Sequence, residues 1–208
     1  LLSEVRFGAF LVYSPRGISE VSQRSRSLSY GIKQGRQETL KAIIDRLVRE
    51  FPGSGLDEVL GPDVVLVPTP RSAPLLTGAF WPAHWISTAL VAAGLGARVL
   101  PCLERRDQVR KSAFQPMGDR PSVQTHYDTM NVTGLPLAAG RVTVVDDVVT
   151  KGSTLLAAAS RVAEVLPGTD IRAFALIRTM GLQPEVDKIV LPCVGEIRRV
   201  GDEASRRP

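Results

Sequence analysis

Short apolar runs that alternate with helical segments constrain the fold of this chain more than any other feature. Three of them read DVVLVP at 63–68, RVTVVDD at 141–147 and IRAFALI at 171–177. Each is almost continuously apolar, which is typical of a strand that is buried on both faces of a parallel sheet. Further strands are predicted at 7–13, 97–101 and 188–192.

Segments with apolar residues at helical spacing lie between these runs. The clearest is QETLKAIIDRLVREF, which places Leu40, Ile43, Ile44 and Leu47 on one face. Further helices are predicted at 82–93 and 153–166. The alternating order predicts an α/β fold, in which a twisted parallel sheet has flanking helices and right-handed crossovers.

Length and composition indicate a single domain over 1–208. The 208 residues suffice for a sizeable core, and 44% hydrophobic with 23% charged residues is ordinary for a globular protein. No apolar run reaches the roughly 18 residues of a membrane helix, and no secretory pattern opens the chain. Because the chain starts at Leu1, a removed leader stays open. Cys102 and Cys193 have no CxxC partner, so we predict reduced thiols and a cytoplasmic protein.

The net charge of +5 favours an anionic partner, either nucleic acid or a small polyphosphate. Residues 19–29, SEVSQRSRSLS, are predicted to be a loop, with an anion-contacting arm as the alternative. Residues 104–133 are basic and lose periodicity, which is typical of a lid or binding loop. A structural role is favoured for His126 in this stretch, over acid–base chemistry or base stacking. The end of the chain is predicted to be frayed.

The segment VTVVDDVVTKGST, residues 142–154, carries the chemistry. Asp146 and Asp147 end a predicted strand, and a carboxylate pair suits a vicinal diol or a hydrated metal ion. Thr150, Lys151, Gly152, Ser153 and Thr154 then lead into a helix, and the backbone N–H groups of such a turn form a phosphate cradle. A diol site beside a phosphate site matches a ribose 5-phosphate.

Other interpretations of this segment are weaker. It lacks the spacing of a nucleotide P-loop and of a dinucleotide-binding glycine motif. A phospho-accepting aspartate would not need the turn that follows. In the plainest alternative, Ser153 or Thr150 caps the helix and the aspartates are merely solvated.

VTVVDDVVTKGSTL resembles the motif with which type I phosphoribosyltransferases bind 5-phosphoribosyl 1-pyrophosphate (PRPP). The resemblance implies that Asp146 and Asp147 hold the ribose hydroxyls and that residues 150–154 wrap the 5′-phosphate. Lys151 departs from the family, which more often has a small or hydroxylated residue there. Thr150 stands where the hypoxanthine/guanine branch has an aspartate, so a 6-oxopurine acceptor is disfavoured.

The resemblance implies further parts of a site. Thr69, Arg71 and Ser72, after the strand at 63–68, are the candidates for binding pyrophosphate. Arg105, Lys111 and Arg120 are candidates in a mobile loop that closes over the reacting centre. Mg²⁺ is expected to arrive with PRPP, with Asp146 and Asp147 as additional candidate ligands.

The same family likeness sets the expected architecture and activity. It implies a core of about 36–180, a hood from about 1–30 and 180–208 that selects the acceptor, and a homodimer. The leading hypothesis is a Mg²⁺-dependent pentosyltransferase that ribosylates a nitrogen of a nucleobase or related acceptor and releases pyrophosphate.

The alternative is a non-catalytic regulator that senses PRPP or associates with nucleic acid on the same fold. The layout also loosely resembles the competence-associated phosphoribosyltransferase-like proteins, although their cysteine-rich N-terminal element is absent.

Overall fold

A seven-stranded sheet with helices on both faces forms the fold. The structure is a computed structural model that describes residues 1–109, 121–134, 140–181 and 183–208. The strands are β1 (Glu4–Tyr13), β2 (Val65–Pro68), β3 (Arg98–Val99), β4 (Leu103–Arg105), β5 (Met130–Val132), β6 (Arg141–Val149), β7 (Asp170–Thr179), β8 (Val190–Val200) and β9 (Glu203–Arg207). The helices are α1 (Glu20–Lys33), α2 (Gln37–Glu50), α3 (Pro82–Ala92), α4 (Val123–Asp128) and α5 (Ser153–Val165).

The strand order is β3-β2-β6-β7-β1-β8-β9. Neighbours from β3 to β1 pair in parallel, whereas β8 is antiparallel to β1 and β9 is antiparallel to β8. β4 and β5 form a separate antiparallel pair. The predicted α/β class with a mainly parallel sheet is confirmed.

Apolar side chains cover both faces of the sheet. On one face Phe10 and Phe174 pack in a core with residues of α1, α2 and α3. On the other, Phe7 packs in a core with α5, α4 and the β4–β5 pair. Each large apolar side chain that is fully buried contributes about 1.5–3 kcal/mol, so both layers are needed to hold the central strands.

β1 and β8 lie within the main sheet, which changes the expected division into core and hood. β1 pairs with β7 on one side and with β8 on the other. Its sequence EVRFGAFLVY is buried from Phe7 to Val12, so it needs cover on both faces and strands on both edges. The sheet therefore extends beyond 36–180 at both ends, and a hood made of all of 1–30 and 180–208 is wrong.

The predicted loop at 19–29 is wrong, because these residues belong to α1. Ser19 caps the helix by accepting from the N–H of Ser22 at 3.3 Å. Ser22, Ser25 and Ser29 are buried, and small hydroxyl side chains let the helix pack closely while bonding to backbone and to the Glu185 carboxylate. The pattern of serines hid this inward face, since it is not apolar.

The stretch 104–133 and the end of the chain are also more regular than predicted. β4, α4 and β5 occupy parts of the first. The end of the chain is not frayed but forms the β8–β9 hairpin, whose two-residue turn has Gly201 at φ +61°. Within the described ranges, no helix is long and apolar enough to cross a membrane.

Candidate functional site

The carboxyl ends of β2 and β6 meet where the strand order reverses. From β2 the chain continues through α3 to β3 on one side, and from β6 it continues through α5 to β7 on the other. Open α/β sheets bind ligands in the crevice at such a switch point. Thr69, which follows β2, and Asp146 on β6 meet at this position.

The strand that carries the acidic pair is longer than predicted. β6 continues through Asp146 and Asp147 to Val149 instead of ending at 147. Asp146 is paired with Ala175 of β7, whereas Asp147 is not paired with a residue of β7. Both aspartates are only half-buried, in contrast to the fully buried residues at 142–145.

The two carboxyl groups are close enough to interact, but they have different hydrogen-bond donors. Asp146 Oδ1 accepts hydrogen bonds from Thr69 Oγ1 at 2.9 Å and from the N–H of Asp147 at 3.0 Å. Burial raises the pKa of Asp146 to about 8, and the charge of Asp147 adds to this. Among the described residues no cation forms an ion pair with either aspartate. Asp146 is therefore costly to ionise until a cation or hydroxyl donors approach it.

The turn 150–154 leads directly into α5. Gly152 is the N-cap residue, at φ +98°, and a Cβ there would come within 2.7 Å of the Ile197 side chain. Glycine is required on both counts. Because the capping position is occupied by Gly152, which has no side chain, the interpretation of Ser153 or Thr150 as the helix cap is wrong. The N–H groups at the start of α5 are thus directed to whatever anion enters.

One pocket, of about 110 Å³, connects the turn to Asp146, the first residue of the acidic pair. Its lining residues are Pro121, His126, Asp146, Val148, Val149, Thr150, Lys151, Gly152, Ser153, Thr154, Leu155 and Glu203. The candidate phosphate-binding residues and one of the two candidate diol-binding residues therefore face the same space.

Two side chains of β9 contact the turn 150–154. Lys151 Nζ forms an ion pair with the Glu203 carboxylate at the rim of the pocket. Arg206 Nε donates to the carbonyl oxygen of Thr150 at 2.9 Å. Lys151, whose role the sequence left open, is thus a paired cation at the edge of the pocket.

The turn after β2 is fixed on both sides. The N–H of Thr69 donates to Val145 of β6 at 2.8 Å, and Trp81 Nε1 donates to the Thr69 carbonyl at 2.7 Å. The carbonyl oxygens of Arg71 and Ser72 accept from Arg105 Nε and from the N–H of Val109. The Arg71 side chain is exposed. The structure thus places this candidate pyrophosphate turn beside Asp146, with its cation accessible.

Arg105 does not lie in a mobile loop, and that expectation is wrong. It is on β4 and only 4% exposed. Its guanidinium donates to the carbonyls of Arg71 and His126 and to Thr129 Oγ1, at 3.0, 3.1 and 2.6 Å. Burial lowers the pKa of Arg105 to about 10, which the charge of Asp146 opposes. Arg105 is a fixed positive charge behind the site.

His126 links Arg105 to the phosphate turn. Arg105 Nη2 lies 3.5 Å from Nδ1 of His126, and Thr154 Oγ1 lies 3.4 Å from Nε2. A guanidinium only donates, so Nδ1 is the acceptor and the proton of the neutral ring is on Nε2. Burial, with the Arg105 charge, lowers the pKa of His126 to about 4. His126 thus presents a neutral N–H to the pocket.

Two candidates cannot be placed. Lys111 and Arg120, predicted for the closing loop, lie outside the described residues. Within those residues, no group of three or more His, Cys, Asp and Glu side chains is arranged to hold a metal ion by itself.

Sequence reasoning undervalued His126 and missed Glu203 and Arg206. A lone histidine in an irregular stretch carries no periodic signal. The hairpin was detectable: EIRRV and EASRR flank Gly201-Asp202, a glycine-containing pair of the kind that joins two strands.

Comparisons with known proteins give only distant likenesses. No protein-family model matches the chain, and no curated protein matches it. Adenine phosphoribosyltransferase from Leishmania tarentolae has a TM-score of 0.32 and 18% identity, over 82% of this chain and 83% of that one. The enzyme of the same name from Leishmania donovani has a TM-score of 0.31 and 16% identity, over 88% and 85%. At these values the likeness carries no weight for function, which we infer from the geometry of the site.

Proposed function

We propose that this chain is a phosphoribosyltransferase, which transfers the phosphoribosyl group of PRPP to a nitrogen of an acceptor and releases pyrophosphate. The observation that carries the proposal is the pocket in which Asp146, at the switch point of the sheet, faces the glycine-capped start of α5. In the sequence, Asp146 and the adjacent Asp147 are separated from this anion-binding helix start by one short turn, as a ribose 5-phosphate requires.

Each part of PRPP has a matching group in this arrangement. The 5′-phosphate binds to the turn 150–154, where backbone N–H groups and the helix dipole favour an anion. The ribose hydroxyls donate to Asp146 and Asp147. The pyrophosphate extends towards Thr69 and Arg71, which the contact between Thr69 and Asp146 supports. The exposed guanidinium of Arg71 can bind pyrophosphate oxygens in bidentate fashion.

The acidic pair also fits Mg²⁺. Two adjacent carboxyl groups, one with a raised pKa and neither in an ion pair among the described residues, are typical partners for a hydrated divalent cation. When bound with PRPP, the ion would neutralise charge on the leaving pyrophosphate. Asp146 and Asp147 would hold it directly or through its water.

Transfer then depends on positioning and charge. The bond from the anomeric carbon to pyrophosphate breaks with its electron pair on the leaving group, and a nitrogen lone pair of the acceptor forms the new bond. The carboxylates of Asp146 and Asp147 stabilise the oxocarbenium-like state between these events, and positive groups stabilise the negative charge on the leaving pyrophosphate. Arg105 contributes a permanent positive charge behind the site, and the neutral His126 contributes a donor without adding charge.

PRPP titration of the wild type and of Asp147→Asn, with and without Mg²⁺, tests the proposal. We expect the substitution to weaken binding about ten- to hundred-fold, because it removes a charged acceptor of hydroxyl protons. The exposed Asp187→Asn is the matched control. Equal binding by the wild type and Asp147→Asn would refute the site.

Release of pyrophosphate, screened across nitrogen heterocycles, separates an enzyme from a regulator. PRPP binding without release in the presence of any acceptor would favour the non-catalytic alternative. That alternative loses one support in the structure, since the Ser/Arg segment at 19–29 is a packed helix whose Arg26 donates to the carbonyls of Ser14 and Gly17.

A further inference from the structure

Two arginines reach the same part of the sheet, because Arg206 donates to the carbonyl of Thr179, the residue after Arg178, and also to the carbonyl of Thr150 in the phosphate turn. Arg178 is near the carboxyl end of β7, opposite Val12 of β1, and only 4% of it is exposed. Arg206 is on β9 and lies over the Phe7 ring, with its guanidinium carbon 5.7 Å from the ring centroid. Burial lowers the pKa of Arg206, and the charge of Arg178 lowers it further. The charges of Arg178 and Arg206 also act to lower the pKa of the Cys193 thiol, against the effect of its burial.

Both guanidinium groups keep an N–H without an acceptor. Arg206 uses Nε and Nη2 on the carbonyls of Thr150 and Thr179, at 2.9 and 2.7 Å. Arg178 uses Nη1 on Met180 Sδ at 2.9 Å and Nη2 on the Leu191 carbonyl at 3.5 Å. Arg206 Nη1 and Arg178 Nε are buried, and no described atom accepts from them.

Neither arginine is neutralised. Among the described residues, no carboxylate forms an ion pair with Arg178 or Arg206. Burying one unpaired charge is expensive, and burying two like charges together is more so. An unpartnered buried N–H adds a further cost for each group. An oxyanion would relieve all of these costs at once.

The anions of PRPP are already matched by other groups. The 5′-phosphate has the start of α5, and the pyrophosphate has the turn after β2. Arg206 contacts the Thr150 carbonyl and not the N–H groups of the turn. The remaining partner of the reaction is the acceptor.

We infer that Arg178 Nε and Arg206 Nη1 bind a carboxylate carried by the acceptor, so that the acceptor is an acidic nitrogen heterocycle. This inference rests on the proposed function. The two unpartnered N–H groups, one from each guanidinium, are equal in number to the two oxygens of one carboxylate, and hydrogen bonds from a guanidinium to a carboxylate are the strong ones. Arg206 also joins this subsite to the turn that holds the 5′-phosphate, because the same side chain reaches the Thr150 carbonyl.

Matched pairs of heterocycles test the inference by calorimetry, with and without PRPP. The pairs are orotate with uracil and nicotinate with nicotinamide, which differ in having or lacking a carboxylate. We expect the carboxylated member to bind at least about ten-fold more tightly to the wild type. In Arg178→Met and in Arg206→Met this preference should fall to about two-fold or less.

Arg199→Met is the matched control, since Arg199 is exposed on β8 and should keep the preference. Thermal melting and PRPP affinity are measured for each variant to establish that it is folded. If Arg178→Met fails to fold, Arg178→Lys replaces it, because lysine keeps the positive charge but has no Nε–H. Equal binding of both members, binding of neither, or a preference that survives in Arg178→Met would overturn the inference. The inference would also be overturned if inorganic phosphate raised the melting temperature of the wild type but not of Arg178→Met, while the wild type showed no preference within either pair of heterocycles.

The two proposals fail in different ways. If PRPP binds but the uncarboxylated heterocycles are preferred, the carboxylate subsite is wrong and the phosphoribosyltransferase stands. If the carboxylated member binds through Arg178 but PRPP does not bind, the proposed function is wrong.

Discussion

Asp146 is held in a state that favours binding over stability. Its carboxyl accepts from Thr69 and from the N–H of Asp147, yet burial still raises its pKa. His126, across the pocket, has the opposite shift, because burial and Arg105 keep the ring neutral. One pocket therefore contains an acid that resists losing its proton and a base that resists gaining one.

Asp146→Asn should stabilise the fold and weaken PRPP binding. Between about pH 4 and 8 the unfolded chain has lost the proton of Asp146 while the folded chain keeps it, so wild-type stability falls as pH rises. Asparagine keeps an oxygen for both hydrogen bonds and has no charge. We expect its advantage in free energy of unfolding to grow across this window to about 1–3 kcal/mol.

Urea denaturation of both proteins at several pH values measures this difference, with Asp187→Asn as the control. A difference that is constant over the window would contradict the environment assigned to Asp146.

His126→Gln should change the pH dependence in the opposite sense. Between about pH 4 and 6.5 the unfolded chain binds a proton that the folded chain excludes, so His126 makes wild-type stability fall as pH decreases. The full effect is about 3 kcal/mol. We expect the variant to gain relative to the wild type towards pH 4, and urea denaturation across this window measures the gain.

His84→Gln on α3, outside this network, is the control for His126→Gln. Parallel curves for the wild type and His126→Gln would show that the ring is not buried as a neutral group.

At the scale of elements, the β6–α5 turn determines whether the pocket exists. Its glycine brings the turn against Ile197 of β8, and Arg206 of β9 takes the carbonyl of Thr150. The turn is thus held between its own helix and a hairpin about fifty residues further along the chain.

Gly152→Ala should cost more than the same change at another glycine with positive φ. Gly152 has φ +98° and no room for a Cβ, whereas Gly168 has φ +79° and nothing within 4 Å of the added atom. We expect a loss in free energy of unfolding of about 2–4 kcal/mol at Gly152 and about 1 kcal/mol at Gly168.

Denaturation and PRPP titration of both variants test this prediction. Gly152→Ala should also lose PRPP binding, and Gly168→Ala should keep it. Equal losses in free energy of unfolding at the two glycines would mean that the Ile197 side chain moves to make room for the added methyl group.

The sequence predicted the elements whose signal is local. β2, β6 and β7 read as apolar runs, and α2 as an apolar stripe, because burial on two faces or on one leaves a period in the chain. α1 was missed because its inward face is made of serines. Arg105 was misplaced because a buried arginine bonded to carbonyls looks, in sequence, like any basic loop residue. The contacts of His126, Glu203 and Arg206 depend on which strands become neighbours, which no short segment encodes.

At the scale of the whole molecule, the positive charge serves a local site in our proposal. The net charge is +5, yet Arg105, Arg178 and Arg206 are largely withdrawn from the surface. Charges that are buried close to a ligand are screened much less by salt than exposed ones.

Salt dependence should therefore separate a small anionic ligand from nucleic acid. We expect PRPP affinity to fall by less than about ten-fold between 50 and 200 mM salt, whereas a nucleic-acid complex with six or more phosphate contacts would lose about a thousand-fold or more. Titrations of PRPP and of a single-stranded RNA at the two salt concentrations make the comparison. Tight RNA binding with the steeper dependence would favour the regulator.

The position of β1 has a consequence for how the chain is made. β1 is completed at residue 13, but its two partners in the sheet are residues 170–179 and 190–200. At a synthesis rate of about 5–20 residues per second, this apolar segment waits on the order of 10 s outside the ribosome without a neighbour. The central sheet is therefore completed late. A nascent chain that stalls before β7 exposes β1 as an unpaired apolar strand, which chaperones would bind.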